Sequence, residues 1–257
     1  MAELFLFPNK CYNFIMSKNI LIAGKDYPDS EDFVEKIALG EFNVSCAGNT
    51  AEDSVKPSSG ITICDWNRDS AISARSLIIQ AETANGFTDN YILYFDAEYF
   101  TAKYSSCSTD ICARACDSMI LGFQYLSLAI LNRIEQHKTP AKILFILKTN
   151  PTMNDVIHSS ALKKMNITPS NPIVSAAEAA FATFAENLAA QEMNNDNVSI
   201  LLITGDQQNE TMSSDSNLGS WLKEYISACD QLKKGIQKST NWIKAGAKAS
   251  GGFSLFK

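Results

Sequence analysis

Apolar residues fall along this chain in short unbroken runs that alternate with longer stretches of helical spacing. NILIAG (19–24), FNVSCAG (42–48), ITICD (61–65), YILYFD (91–96), AKILFIL (141–147) and VSILLIT (198–204) are compact and rich in β-branched or aromatic residues, and each predicts a strand. Between and after them, DSEDFVEKIAL, SAISARSLIIQAETA, and stretches over about 110–136, 173–194 and 218–242 carry apolar residues at the spacing of a helix face. In VSAAEAAFATFAENLAAQ, Val174, Ala177, Phe181, Phe184 and Leu188 share one side, and small residues fill much of the rest. A loop region carrying Pro151, Pro169 and Pro172 leads into that helix. The polar stretch QQNETMSSDSN (207–217) after the sixth run reads as either a mobile lid or an ordinary solvated loop.

Strands that are apolar throughout and separated by helices signal a parallel sheet covered on both faces. Right-handed crossovers then produce a Rossmann-like, doubly wound sheet in a three-layer α/β/α arrangement. No internal repeat or shift in composition divides residues 17–257, so they are read as a single domain. Residues 1–16 are set apart as an N-terminal extension or alternative start, because a second Met at position 16 opens MSKNILIAG. The segment Met119 to Leu131 is apolar on nearly every face, and the Ala-rich 173–194 helix is similar. One sheet face cannot hide them. They predict a homodimer or homotetramer assembled through helices 110–136 and 173–194.

Composition narrows the function. A net charge of −6 and an isoelectric point near 5.0 argue against nucleic acid and anionic membranes as partners. The longest apolar stretch is shorter than the roughly 18 residues a bilayer span needs. The first residues lack the basic start and cleavage site of a secretory signal, and an odd number of cysteines, seven, suits a reducing cytoplasm. Cys107, Cys112 and Cys116 cluster, but with no His nearby and no CxxC pair they are read as packed thiols rather than a metal site.

The order and spacing of several short segments resemble the short-chain dehydrogenase/reductase family across roughly 17–257. Asp65-Trp66-Asn67 ends the third strand where the family places an acidic residue beside the adenine. ILYFDAE is similar to its fourth strand and following Asn-Asn-Ala-Gly segment, with Ala97 kept. MILGFQYLSLAIL resembles its dimerising helix, and VSAAEAAFATFAENLAAQ the helix that bears its Tyr-x-x-x-Lys. Gly205 falls near its Pro-Gly after strand six, and ASGGFSLF is similar to its last strand. The resemblance implies an NAD or NADP cofactor, for which Gly24, Lys25, Asp65, Trp66, Ala97 and Gly205 are the candidate contacts.

The family's chemical positions are substituted. AGKDYPDSEDF retains only Gly24 of the glycine-rich loop. Pro28 and Ser30 occupy the other glycine positions, and Asp26, Asp29, Glu31 and Asp32 bring carboxylates where phosphates would settle, or simply stabilise a helix start. The family's Ser, Tyr and Lys fall on Lys148, Val174 and Glu178, and its helix Asn on Met119. No catalytic set and no cofactor are therefore expected. Lys148 and Glu178 could form a salt bridge across the former active site, or each could reach solvent. Two functions follow: a pseudoenzyme acting as a homo-oligomeric scaffold or small-ligand-binding protein, or a divergent NAD(P)-dependent oxidoreductase. The second would draw a replacement phenol from Tyr94, Tyr99 or Tyr104 and a cation from Lys148.

Overall fold

The computed structural model describes residues 18–40, 42–49, 57–106, 108–165, 167–232 and 238–249. Its elements run β1 (Lys18–Tyr27), α1 (Glu31–Ala38), β2 (Phe42–Gly48), β3 (Ile61–Asp65), α2 (Ala71–Asn85), β4 (Asn90–Asp96), α3 (Ala97–Lys103), α4 (Thr109–Cys116), α5 (Gly122–His137), β5 (Ala141–Thr149), α6 (Met153–His158), α7 (Ser160–Lys164), α8 (Pro172–Gln191), β6 (Val198–Asp206), α9 (Asp215–Asp230) and β7 (Ile243–Lys244). The sheet has seven strands, all parallel, in the order β3-β2-β1-β4-β5-β6-β7. This is the expected Rossmann-like, doubly wound arrangement.

Both faces of the sheet are buried, which explains the continuous apolar strands. On β4, Tyr91, Leu93 and Phe95 face a core built with α2, α5 and α8, while Ile92 and Tyr94 face a second core built with α1 and α9. Phe181 of α8 sits at the centre of the first core, with ring centroids 5.2 Å from Phe95, 4.9 Å from Phe123 and 5.6 Å from Phe145. Val174, Ala177 and Leu188 share that buried face, as their spacing predicts, whereas Phe184 is only partly buried against it.

Three elements depart from expectation. The long 110–136 helix is α4 and α5 joined through a π-helical turn at Asp117–Leu121. A separate short helix, α3, intervenes after β4, begun by Asp96, whose side chain accepts hydrogen bonds from the Glu98 and Tyr99 backbone N–H groups. The last helix does not reach Trp242. It ends at Asp230, and Ile243–Lys244 instead adds the short edge strand β7 beside β6. The 207–217 stretch divides: Ser214 caps α9, while Asn209 and Met212 are buried under the turn before it. The extension at 1–16, Cys107 and most of ASGGFSLF lie outside the described residues. No helix among the described residues is long and apolar enough to cross a membrane.

Candidate functional site

Strand order reverses between β1 and β4, because β1 leads outward to β2 and β4 leads the other way to β5. Beyond the carboxyl ends of those strands lies the crevice where doubly wound sheets place ligands. Gly24 brings the two strands together there. Its φ is +125°, and a Cβ at this position would stand 2.0 Å from the carbonyl oxygen of Tyr94. Only glycine tolerates that approach.

Charged side chains fill the crevice. Arg68, from the loop after β3, is 6% exposed and donates to the Gly24 carbonyl and the Asp26 carboxylate, both at 2.5 Å. Its guanidinium lies 4.6 Å from the Trp66 ring centroid and within 6 Å of Phe100 and Phe123. Gly122 makes room for this loop, since a Cβ there would meet the Arg68 Cβ at 2.9 Å. Lys103 also reaches Asp26, at 3.2 Å. Burial alone would push the Asp26 carboxyl up, but Arg68 and then Lys103 outweigh it and hold it below the usual range.

A second group adjoins the first. Lys25 pairs with Asp96 at 3.3 Å and Asp215 at 2.6 Å. Lys148 pairs with Asp96 at 3.5 Å and Glu98 at 3.3 Å. Burial pulls the Lys25 ammonium down, yet Asp96 and Asp215 reverse that and raise it. Tyr94 donates to Asp215 at 3.0 Å and Asp96 at 3.3 Å. Its own burial, reinforced by those two carboxylates, lifts the phenol well above its ordinary value. The ring of Tyr99 lies between the groups, with Lys25 at 5.7 Å and Lys103 at 5.2 Å from its centroid. Arg68, Lys25, Lys103 and Lys148 thus face Asp26, Asp96, Asp215 and Glu98, and the network is formally neutral.

The sequence-predicted residues are distributed unevenly around this network. Gly24 and Lys25 are within it. Trp66 flanks it through Arg68, and Ala97 is buried just behind Asp96 at the start of α3. Asp65 stands at the exposed end of β3, its backbone exchanging hydrogen bonds with the Gln80 side chain. Gly205, near the end of β6, packs against Asn209 and Met212. Met119 and Val174 are wholly buried in the apolar core, and their side chains carry no ionisable group.

Of the two outcomes open for Lys148 and Glu178, a mutual salt bridge or separate exposure to solvent, neither is found: they do not pair, and Lys148 is buried. Lys148, at the end of β5, lies opposite Asp96 in register and is taken by Asp96 and Glu98. Glu178 instead lines a separate cavity of about 550 Å³ with Thr149, Asn150, Asp155, His158 and Asp206. One of its carboxyl oxygens is buried without a hydrogen-bond partner. Burial pushes its carboxyl up to about 7, opposed by the Asn150 backbone N–H and aided by Asp155.

A stability signature follows from Glu178. Its folded value stands above the ordinary 4.5, so between pH 4.5 and about 7 the folded chain holds a proton that the unfolded chain releases. This contribution is complete below the unfolded value and disappears as pH rises through the folded one, leaving the protein about 1–3 kcal/mol less stable, with allowance for the part of the side chain that water reaches. Glu178→Gln keeps the shape without the proton. Urea unfolding at pH about 5 and about 8 should show the variant gaining that increment on the wild type at the higher pH. An equal pH response in both chains rules the assignment out.

Sequence reasoning missed Arg68, Asp215 and the partner of Tyr99. Tyr99 and Lys103 lie four apart on α3, and the Lys103 ammonium donates to the Tyr99 hydroxyl at 2.9 Å. The spacing in YFTAK was visible in the sequence. Tyr104, by contrast, ends α3, where its carbonyl accepts from Asn171. Burial first, and Asp26 second, raise the Tyr99 phenol even though Lys103 opposes them.

The fold, with its parallel sheet and crevice at the β1–β4 switch point, is that of short-chain dehydrogenase/reductase proteins. Among solved structures, a short-chain dehydrogenase from Mycobacterium smegmatis is similar at a TM-score of 0.60, with 9% identity over 91% of this chain and 93% of that one. One from Bacillus anthracis gives 0.59, with 14% identity over 89% and 95%. RhlG of Pseudomonas aeruginosa, solved as an active-site complex with NADP, gives 0.52, with 11% identity over 74% and 72%. No protein-family model and no curated protein matches the sequence.

A nicotinamide dinucleotide entering this crevice would meet Arg68, which pairs with Asp26 but keeps one terminal nitrogen buried without a hydrogen-bond partner. Gly24 lies against the β4 backbone. Phosphates at this end of Arg68 would compete with its ion pair to Asp26 and face that carboxylate. No chemical step is assigned through the cofactor. Among the described residues no three His, Cys, Asp or Glu side chains stand together as a metal site, and Cys112 and Cys116 are half-buried free thiols.

Proposed function

We propose that this protein is a catalytically degenerate relative of the short-chain dehydrogenases/reductases, a cytoplasmic pseudoenzyme that serves as a homo-oligomeric scaffold or a small-ligand-binding protein. The observation that carries this reading is Arg68, buried across the switch-point crevice and paired with Asp26 and the Gly24 carbonyl. The groups the family uses for proton transfer are replaced by buried Met119 and Val174 and by Lys148 and Glu178, which do not meet. Self-association would run through α4–α5 and α8, as their apolar sequence suggests; among the described residues of these helices, Leu128 of α5 is the large apolar side chain left exposed, at 48%.

One contact favours the alternative of a divergent NAD(P)-dependent oxidoreductase: the hydrogen bond from Lys103 to Tyr99 sets a phenol beside an ammonium at the crevice. Thermal stability with millimolar NAD, NADH, NADP and NADPH separates the two. A dinucleotide present at a hundred times its Kd would stabilise the fold by about 2.7 kcal/mol. No shift is expected with any of the four. A clear shift, with turnover that disappears in Tyr99→Phe, would replace the first reading with the second.

A further inference from the structure

The helices α2 and α5 lie side by side on one face of the sheet, and a cleft of about 420 Å³ opens between them. Its walls are Arg75, Ile78 and Ile79 from α2 and Ala129, Asn132, Arg133 and Gln136 from α5. No carboxylate lines it, although the chain as a whole carries a net charge of −6. Arg133 is engaged by Glu82 through Nε and one terminal nitrogen, whereas Arg75 forms no ion pair among the described residues. The cleft therefore holds one uncompensated guanidinium and two side-chain amides.

Exposed aliphatic side chains stand beside it on both helices. Ile72, Arg75 and Ile79 fall at i, i+3 and i+7, on one side of α2. Ile72 is 78% and Ile79 55% exposed. Leu128, also exposed, lies one turn before Asn132 on the side of α5 that lines the cleft. Large aliphatic side chains left in water around a polar centre mark an interaction site more often than an ordinary surface. A cation flanked by hydrocarbon on both walls is the complement of an anion attached to hydrocarbon.

We propose that this cleft binds a small amphiphilic anion, a medium-chain carboxylate, with Arg75 holding the carboxylate and Ile78, Ile79 and Ala129 holding the chain. The guanidinium offers paired donors to a carboxylate. Asn132 and Gln136 supply further donors within the same walls. The volume lies in the range of small-molecule sites, and with four polar residues among its seven lining residues the cleft would orient the ligand chiefly through its head group.

Calorimetric titration of the full chain with octanoate tests this directly, with octylamine and acetate as probes of the head group and the tail. Octanoate should bind saturably, with a Kd on the order of 1 mM or tighter, and acetate and octylamine should not. Arg75→Gln should weaken octanoate about tenfold or more while leaving the unfolding midpoint in place. Ile79→Ser should weaken it too. Octylamine binding as well as octanoate, no saturation by either, or indifference to both variants would overturn the proposal. So would failure to bind octanoate together with loss of self-association in Ile79→Ser, which would assign the patch to contact between copies. The outcome is independent of the dinucleotide experiment, because no crevice residue lines this cleft.

Discussion

Replacing Gly24 with alanine is expected to destabilise the protein by about 4 kcal/mol or more, enough to leave much of the chain unfolded in dilute urea. The backbone at Gly24 has φ +125°, and the added carbon would lie 2.0 Å from the Tyr94 carbonyl oxygen. That oxygen belongs to β4 at the middle of the sheet, so the neighbour cannot turn aside as a side-chain tip would. Gly60 provides the control: its φ is +93°, but no atom lies within 4 Å of the position a Cβ would take. Gly60→Ala should cost only the conformational part, about 1–2 kcal/mol. Urea unfolding followed by circular dichroism measures both. Equal losses in the two variants would mean that the close approach of β1 and β4 is not what Gly24 provides.

The second large effect is at Asp96. Its side chain is 2% exposed, accepts from Lys25 and Tyr94, and pairs with Lys148. Asp96→Asn retains an oxygen to cap α3 but removes the charge shared by two buried ammonium groups. Lys25 would keep Asp215, while Lys148 would keep only Glu98, whose side chain is 56% exposed. Stranding such a charge costs about 3–5 kcal/mol. Adding Lys148→Met to Asp96→Asn should recover a substantial part of the loss, since the stranded cation is then gone. A double-mutant cycle over the two sites reads the coupling. Losses that simply add would show that the two residues act separately and that crevice neutrality does not stabilise the fold.

Both predictions concern a site that was only partly legible in the chain. Gly24 was visible because it ends an apolar run at the position of a family glycine. Asp96 was visible only as the end of YILYFD, and its double duty was not. Arg68 follows the Asp65-Trp66-Asn67 landmark without any signal of its own, and its contact with Asp26 spans 42 residues. Asp215 reaches Lys25 across 190 residues from inside a stretch that reads simply as polar. The proposed Lys148–Glu178 bridge paired two residues by their shared place in a motif. Register decided otherwise: it sets Lys148 opposite Asp96, one strand over, and leaves Glu178 in its own cavity.

The first six strands, their parallel direction and most of the buried side of α8 were set by the chain alone, because burial on two faces leaves an imprint of period and continuity in every local window. The interruption at Asp117–Leu121, the early end of α9 and the arrangement of charges in the crevice were decided only in three dimensions. Ion pairs and close backbone approaches join residues far apart in the chain, and no repeating pattern records which distant partner each polar side chain will meet.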